Sequence, residues 1–481
     1  MHAGPRGGLL SARSATSVPH LEAVDKRDGN YQMLANGRVR LASRGEFVLD
    51  HQDDEHLYIA IYPAPVNVPT SFLALPAATP EVPVRDKRGA IDLIDSGGGL
   101  PHTGQWRDNF AVGDLLGDGS TQLVFAPPRK SGDTPLLFRE QADGWHRVSL
   151  KVPAANFEYG GVAIADVDGD GRNDLVLAMH LTGFSALRAQ ANGTFAAFDS
   201  ALPTIHDARV SGSGVAVLAL PAPPRTAAAL LLLREPFARH GAATPMPALA
   251  TYRLGKHGFS HAQLAENLGG TSMAYAPATA RCAAKLAVGS VYTGPPPLLE
   301  TRDQSTWTPR AIDVFPDAAE RVAAVTLGDA DGDGCSDLAV AYSRRIGTVW
   351  HSVVDVYLDR GARWQRINLL DAPRGARVTA MTFAASAARS GAAKLLTLDD
   401  DGSVRAYDIE GSVGEWLLDN PAPAWRRGCG GSDIHVLPAD ASGNLRIAAN
   451  FAGEPIMGAF DRCRNGGGIE VWRLIQRDQT H

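Results

Sequence analysis

Along most of the chain, apolar residues come in short runs of four to seven, separated by Gly, Pro, Asp and Asn clusters. This is the pattern of short strands and tight turns rather than of amphipathic helices. Two stretches are nearly superimposable. One runs from Val162 to His180 and the other from Val325 to Ser343. In each, an apolar strand leads into DxDGDGxxDL and a second apolar strand follows. A third copy, Phe110 to Pro128, keeps Asp114, Gly117, Asp118, Gly119 and Leu123 but carries Leu116 and Gln122 where the others have Asp.

The leucine that closes the motif serves as a ruler. Leu123, Leu175, Leu230, Leu286, Leu338, Leu395 and Leu445 follow one another at intervals of 52, 55, 56, 52, 57 and 50 residues. Each unit continues with a third strand, a turn, and an aromatic residue leading a fourth strand, as at Trp145, Phe195 and Trp364. A unit of about four antiparallel strands in roughly 50 residues has the size of a propeller blade. Such a blade buries its apolar surface only by stacking on its neighbours. The expected fold is therefore all-β, a seven-bladed propeller of four-stranded blades over residues 85–481, with an eighth, incomplete blade left open.

The seventh unit runs out after its third strand, near Gly468–Arg477. The segment before unit one, residues 89–96, has strand character and resembles Arg310–Ala319, read as a fourth strand elsewhere. Ala90–Ile94 is thus expected to complete the last blade and hide two sheet edges. Residues 1–30 read as a flexible lead-in. Residues 31–80 read as a small β appendage, with a hairpin around His51–Glu55, followed by a Pro-rich linker.

Composition narrows the function. Of 481 residues, 44% are hydrophobic and 20% charged, ordinary globular values, while 50 Gly and 31 Pro fit a turn-rich β protein. A net charge of −6 argues against nucleic-acid binding. The longest aliphatic run, near Ala227–Leu233, is far short of the ~18 residues of a membrane-spanning helix. The first twenty residues hold no apolar stretch of signal-peptide length, which leaves the compartment open. Four cysteines permit two disulfides in three pairings and form no C-x-x-C metal pattern.

The repeated loop carries candidate chemistry. Asp166, Asp168, Asp170 and Asp174 occupy positions 1, 3, 5 and 9, and glycines at 4 and 6 permit the turn that gathers them. With the carbonyl of Arg172, they make an oxygen-rich set of the kind Ca²⁺ requires. Asp329, Asp331, Asp333 and Asp337, with the carbonyl of Cys335, repeat it. Uncompensated, carboxylates this close repel one another. A plain polar turn is the alternative. An EF-hand is excluded, because position 12 is Leu177 or Val340 and strands, not helices, flank the loop.

On these two loops the chain resembles the FG-GAP or VCBS repeats of integrin-α-like seven-bladed propellers, over about residues 89–475. The resemblance implies that the loops join the first two strands of a blade on one face of the ring and hold about two structural calcium ions. It places the loops of units four and five side by side, which makes Cys282–Cys335 an expected disulfide, with Cys429–Cys463 near the closing blade; four free thiols are the alternative. Disulfides and calcium would fit a secreted, periplasmic or cell-surface setting.

No local catalytic motif is present. Trp106, Phe157 and Tyr159, before the first strands of units one and two, together with His180, are the candidate ligand contacts; blade-to-blade packing is the competing reading for the aromatics. Three functions follow from the resemblance. The first is a calcium-stabilised recognition module for carbohydrate or a protein partner. The second is a polysaccharide lyase or hydrolase with its site in the central cleft. The third is a structural module of a larger assembly.

Overall fold

The computed structural model is all-β. It describes strands within residues 20–61, and then residues 84–477 apart from 130, 181, 204–213, 235–248, 266–269, 291–293, 317–318, 348, 374, 386–392, 411–412, 454–462 and 464. Two compact units are distinguished, the described strands within residues 20–61 belonging to one and the described residues from 84 onward to the other.

In the N-terminal unit, Gly45–Gln52 and His56–Ile61 form the expected hairpin, with Val48 opposite Ala60 and Gln52 opposite Leu57. They sit in a five-stranded sheet whose outermost member is His20–Asp25, paired antiparallel with His56–Ile61. That strand lies inside the segment read as lead-in. Its six residues, HLEAVD, gave too short a pattern to stand out, and pairing with the open side of the hairpin is what orders them.

The larger unit is a ring of seven blades. Blade two shows the plan: Val162–Ala165, Asp174–Met179, Gly183–Ala189 and Phe195–Ala197 pair antiparallel in chain order from the channel outward. Blade five repeats it with longer strands, Ala319–Gly328, Asp337–Ile346, Val349–Asp359 and Trp364–Pro373. Blade seven takes its fourth strand from Ile91–Asp95, which pairs antiparallel with Gly467–Gln476, Leu93 opposite Leu474. The ring is thereby closed by the segment expected to close it. The analogy with Arg310–Ala319 does not extend to structure: the fourth strand of blade four is Thr308–Pro309, and Ile312 and Phe315 turn into the core instead. Blade six gains a fifth strand, Arg85–Asp86, running parallel to Val413–Asn420 and held by Lys87 Nζ 2.7 Å from Glu415.

The seven ruler leucines all lie on second strands. Leu123, Leu175, Leu230, Leu286 and Leu338 are wholly buried. Second strands are covered on both faces, which is why they read as unbroken apolar runs. Side-chain alternation splits each run between two interfaces. Leu175 and Leu177 pack toward blade one, whereas Val176 and Ala178 pack toward blade three. The same parity holds around the ring, so that each ruler leucine faces the preceding blade: Leu230 meets blade two, Leu286 blade three, Leu338 blade four, Leu395 blade five, Leu445 blade six and Leu123 blade seven.

Replacing such a leucine removes contacts to two blades. Leu338→Ala should lower unfolding free energy by about 2–5 kcal/mol, while Val314→Ala, at an exposed position, should change it by no more than ~0.5 kcal/mol. Denaturant titration of both variants checks this.

Candidate functional site

In blades two and five the acidic loops join the first strand to the second. Asp166 folds its own loop: Oδ1 accepts from the amides of Gly169 (2.7 Å) and Asp170 (3.0 Å), and Oδ2 from Gly171 (2.8 Å). Asp329 does the same for Gly332 (2.7 Å) and Gly334 (2.9 Å). Gly169, Gly171, Gly332 and Gly334 all have φ between 79° and 87°, the left-handed region where a side chain is strained. The turn that gathers the carboxylates is therefore built from glycines and one bracing aspartate.

The ninth residue ties the loop to the sheet. Asp174 accepts from Val167 N (2.9 Å) at the start of its loop and from Ala189 N (2.8 Å) at the end of the third strand. Asp337 accepts from Ala330 N and Asp359 N, both at 2.8 Å. Burial pushes both carboxyls up to about 7, and the neighbouring Asp168 and Asp170, or Asp331 and Asp333, add to it. Oxygens of Asp166, Asp168 and Asp174 lie within 4.8 Å of one another, as do those of Asp329, Asp331 and Asp333. Either cluster could hold a metal ion. Asp170 stands outside the first cluster, paired with the side chain of Arg172, and Asp337 stands outside the second; Asp331, within the second, also pairs with Arg360.

The degenerate loops meet the same electrostatic demand with side chains. In blade one Gln122 stands at the ninth position. Its Oε1 accepts from Leu115 N (2.8 Å) and Leu116 N (3.1 Å), the work of the missing aspartate. Its Nε2 donates to Asp114 (3.2 Å), Asp118 (3.0 Å) and Ser120 Oγ (3.1 Å), so a neutral amide fills the space among the remaining carboxylates. In blade four the ninth residue is Lys285, fully buried, with Nζ 2.5 Å from the Ser336 carbonyl and 2.6 Å from Asp359 in blade five. Arg310 closes on Asp359 from the other side at 2.6 Å. An ionic bond thus joins blades four and five. The repeat marked Gln122 only as a lost aspartate; the amide's two-sided hydrogen bonding is visible only in three dimensions.

All four cysteines are paired. Cys282, in the blade-four loop, is bonded to Cys335 in the adjacent blade-five loop, with Cα atoms 5.5 Å apart. Cys429, just ahead of the first strand of blade seven, is bonded to Cys463 across 4.7 Å.

The four expected ligand contacts separate. Trp106 is 5% exposed, edge-on to Phe125 and Phe138 in the interface between blades seven and one, with Nε1 donating to the Thr103 carbonyl. Phe157 packs against the interface between blades one and two. Trp106 offers no platform, because blade stacking has taken it, and Phe157 leans half-buried on its interface. Tyr159 and His180 do come together, stacked with centroids 5.0 Å apart, and Arg129 lies 5.5 Å from the Tyr159 ring centre.

The central cleft, named above only as a place for a site, is lined by residues that the sequence did not single out. The first strands of the blades enclose a cavity of about 790 Å³, lined by Arg107, Asp108, Tyr275, Arg377, Asp433 and His435 among others. Asp433 and His435 come from blade seven and Asp108 from the entry to blade one, over 300 residues apart in the chain. The alternation Asp433-Ile434-His435 at the start of a first strand was the available signal, since it sends two polar groups to one side.

Residues 98–177, which cover blade one and run into the second strand of blade two, match the FG-GAP-like repeat family. No curated protein matches the chain in sequence. Among solved structures, a crystal structure of BBS1N in complex with ARL6DN is similar to 82% of this chain over 100% of its own length, at 10% identity and a TM-score of 0.48. The N-terminal domain of Nup159 is similar over 82% of this chain and 98% of that one, with 10% identity and a TM-score of 0.45. A Lactobacillus plantarum protein covers 66% of this chain and 85% of its own, at 11% identity and a TM-score of 0.39. The protein is a seven-bladed β-propeller whose residues 98–177 match the FG-GAP-like repeat family.

Two predictions follow the site chemistry. Because the buried Asp337 carboxyl has a folded pKa raised above its ordinary value, it favours the fold below about pH 4 and that contribution is lost as pH rises through about 7. In chelator, Asp337→Asn should therefore gain on the parent protein between pH 5 and pH 8; a stability gap that does not move with pH would contradict this. Separately, reducing or replacing the Cys429–Cys463 pair opens a 34-residue loop and should cost about 4 kcal/mol in the chain-entropy picture, read as a lower melting temperature.

Proposed function

We propose that this protein is a calcium-stabilised recognition module of an extracellular or otherwise oxidising compartment, binding carbohydrate or a protein partner. The observation that carries the metal half is the repetition of one hydrogen-bonded acidic loop in blades two and five. In each, a first aspartate braces the turn and a ninth links three strands. Ca²⁺ takes six to eight hard oxygen ligands. Asp166, Asp168, Asp170 and Asp174 with the Arg172 carbonyl would supply them in blade two, and Asp329, Asp331, Asp333 and Asp337 with the Cys335 carbonyl in blade five. The ion would neutralise carboxylates that burial leaves poorly solvated, and it would lock the first, second and third strands of each blade together. Two disulfides support the compartment. A ring of rigid blades presenting loops at both ends supports recognition, since partner contacts ride on loops held by a stiff scaffold.

The test is metal content and thermal unfolding on one sample. About two calcium ions per chain are expected. At a ~100-fold excess over the dissociation constant each contributes about 2.7 kcal/mol, so the melting temperature should fall clearly on chelation. Asp166→Asn with Asp329→Asn should abolish most of that shift. No bound calcium and no shift would leave the loops as hydrogen-bonded turns.

A further inference from the structure

The cavity on the propeller axis has the features of a built site. One wall holds a fixed ion pair: Asp433 Oδ2 lies 2.7 Å from His435 Nε2 and also accepts from the Phe110 amide at 3.1 Å. The His435 ring is held edge-on to Phe110, with centroids 4.7 Å apart at 78°. Burial works against charge on the imidazole, but Asp433 outweighs it and leaves the ring above its ordinary value. Beside the pair stands Asp108, a non-glycine residue at φ 63° whose carbonyl accepts from Asn450 Nδ2 at 3.0 Å. Among the described residues no hydrogen bond reaches the Asp108 carboxyl. Desolvation, aided by Asp433 and opposed by Arg107, pushes it up to about 6. A left-handed backbone and a carboxyl without an internal donor, at a cavity wall, are the marks of a residue placed for a ligand rather than for the fold.

We infer that this cavity is a saccharide-binding site in which Asp108, His435 and Arg107 hold the hydroxyl groups of a terminal sugar. This rests on the recognition reading above and names its ligand class. Three observations point to that class. The cavity volume, about 790 Å³, suits a ligand of one or two sugar units. Its charged lining is mixed, with Arg107, Arg377 and His435 facing Asp108 and Asp433, so no single-sign field selects an ion. Arg377 is in addition engaged by Asp400. The wall offers donors and acceptors side by side, and hydroxyls, which both donate and accept, satisfy such a set where a purely cationic or anionic group cannot. Tyr275 and Met273, both partly buried, supply apolar surface for the sugar's carbon face.

The experiment is a glycan array probed with the full chain in calcium, with Asp108→Asn and His435→Gln alongside. Asparagine tolerates the left-handed backbone as aspartate does, so the first variant keeps the loop conformation. Retention of one or more glycans is expected, weakened at least ~10-fold in both variants (1.4 kcal/mol or more), with the calcium-dependent melting shift intact. No retained glycan would overturn the assignment, and so would retention undiminished in both variants. The melting shift separates the two ideas: its absence with variant-sensitive glycan binding removes the calcium reading alone, and its presence without glycan binding removes the saccharide site alone.

Discussion

Everything in the larger unit depends on the packing of second strands between neighbouring blades. A single blade has two apolar faces and no way to cover either. Alternation sends Leu175 and Leu177 one way and Val176 and Ala178 the other, and the adjacent blade completes each side. Seven interfaces of this kind close on themselves only if the first and last blades also meet. They do, through Leu123, Phe125 and Leu137's neighbours Leu136 and Phe138 packing on Ala448, Ile469 and Val471. The strand Ile91–Asp95 then links the two ends of the ring by hydrogen bonds as well as by packing.

Loops between first and second strands face a separate problem, which the chain solves in three ways. A bend that tight leaves backbone amides to be satisfied. In blades two and five, carboxylates satisfy them and then crowd one another. Blade one uses Gln122, which supplies the acceptor and, through its amide nitrogen, the donors that the carboxylates need. Blade four dispenses with carboxylates in its loop and places Lys285 at the ninth position, tied to Asp359 of blade five. Burying that pair costs solvation, and the Ser336 carbonyl and Arg310 offset it by completing the hydrogen bonds around the charges. The same location in the blade is thus an acidic cluster that could hold a cation, an amide bridge or an ionic clasp.

The Cys282–Cys335 bridge joins those two chemistries. It ties the carboxylate-free loop of blade four to the acidic loop of blade five, beside Arg281, whose guanidinium donates to the Asp333 carbonyl at 2.6 Å. A loop that could bind an ion is therefore partly held in shape by its neighbour. The axial cavity runs along the first strands, from Asp433 and Arg377 near the strand starts to Thr326 and Leu327 just ahead of the blade-five acidic loop.

The amino-acid sequence alone determined the repeat, the blade size, the acidic loops and the closing strand. All of these rest on local features: period-two alternation, glycine-punctuated turns, and a leucine recurring in one position of every unit. Leu445 shows how far that reaches, because its unit lacks the acidic motif and yet the residue points toward the preceding blade like the other six. Tertiary structure decided what depends on contacts between distant parts of the chain. Trp106 looked available as a local aromatic and is consumed by blade stacking. Arg85–Asp86 is too short to register as a strand and exists because blade six offers an edge and Glu415 offers a charge. Gln122 looked like a lost ligand and is a replacement for one. Asp108, Asp433 and His435 carry no motif, and only ring closure, which brings blade seven against blade one, sets them around a single cavity.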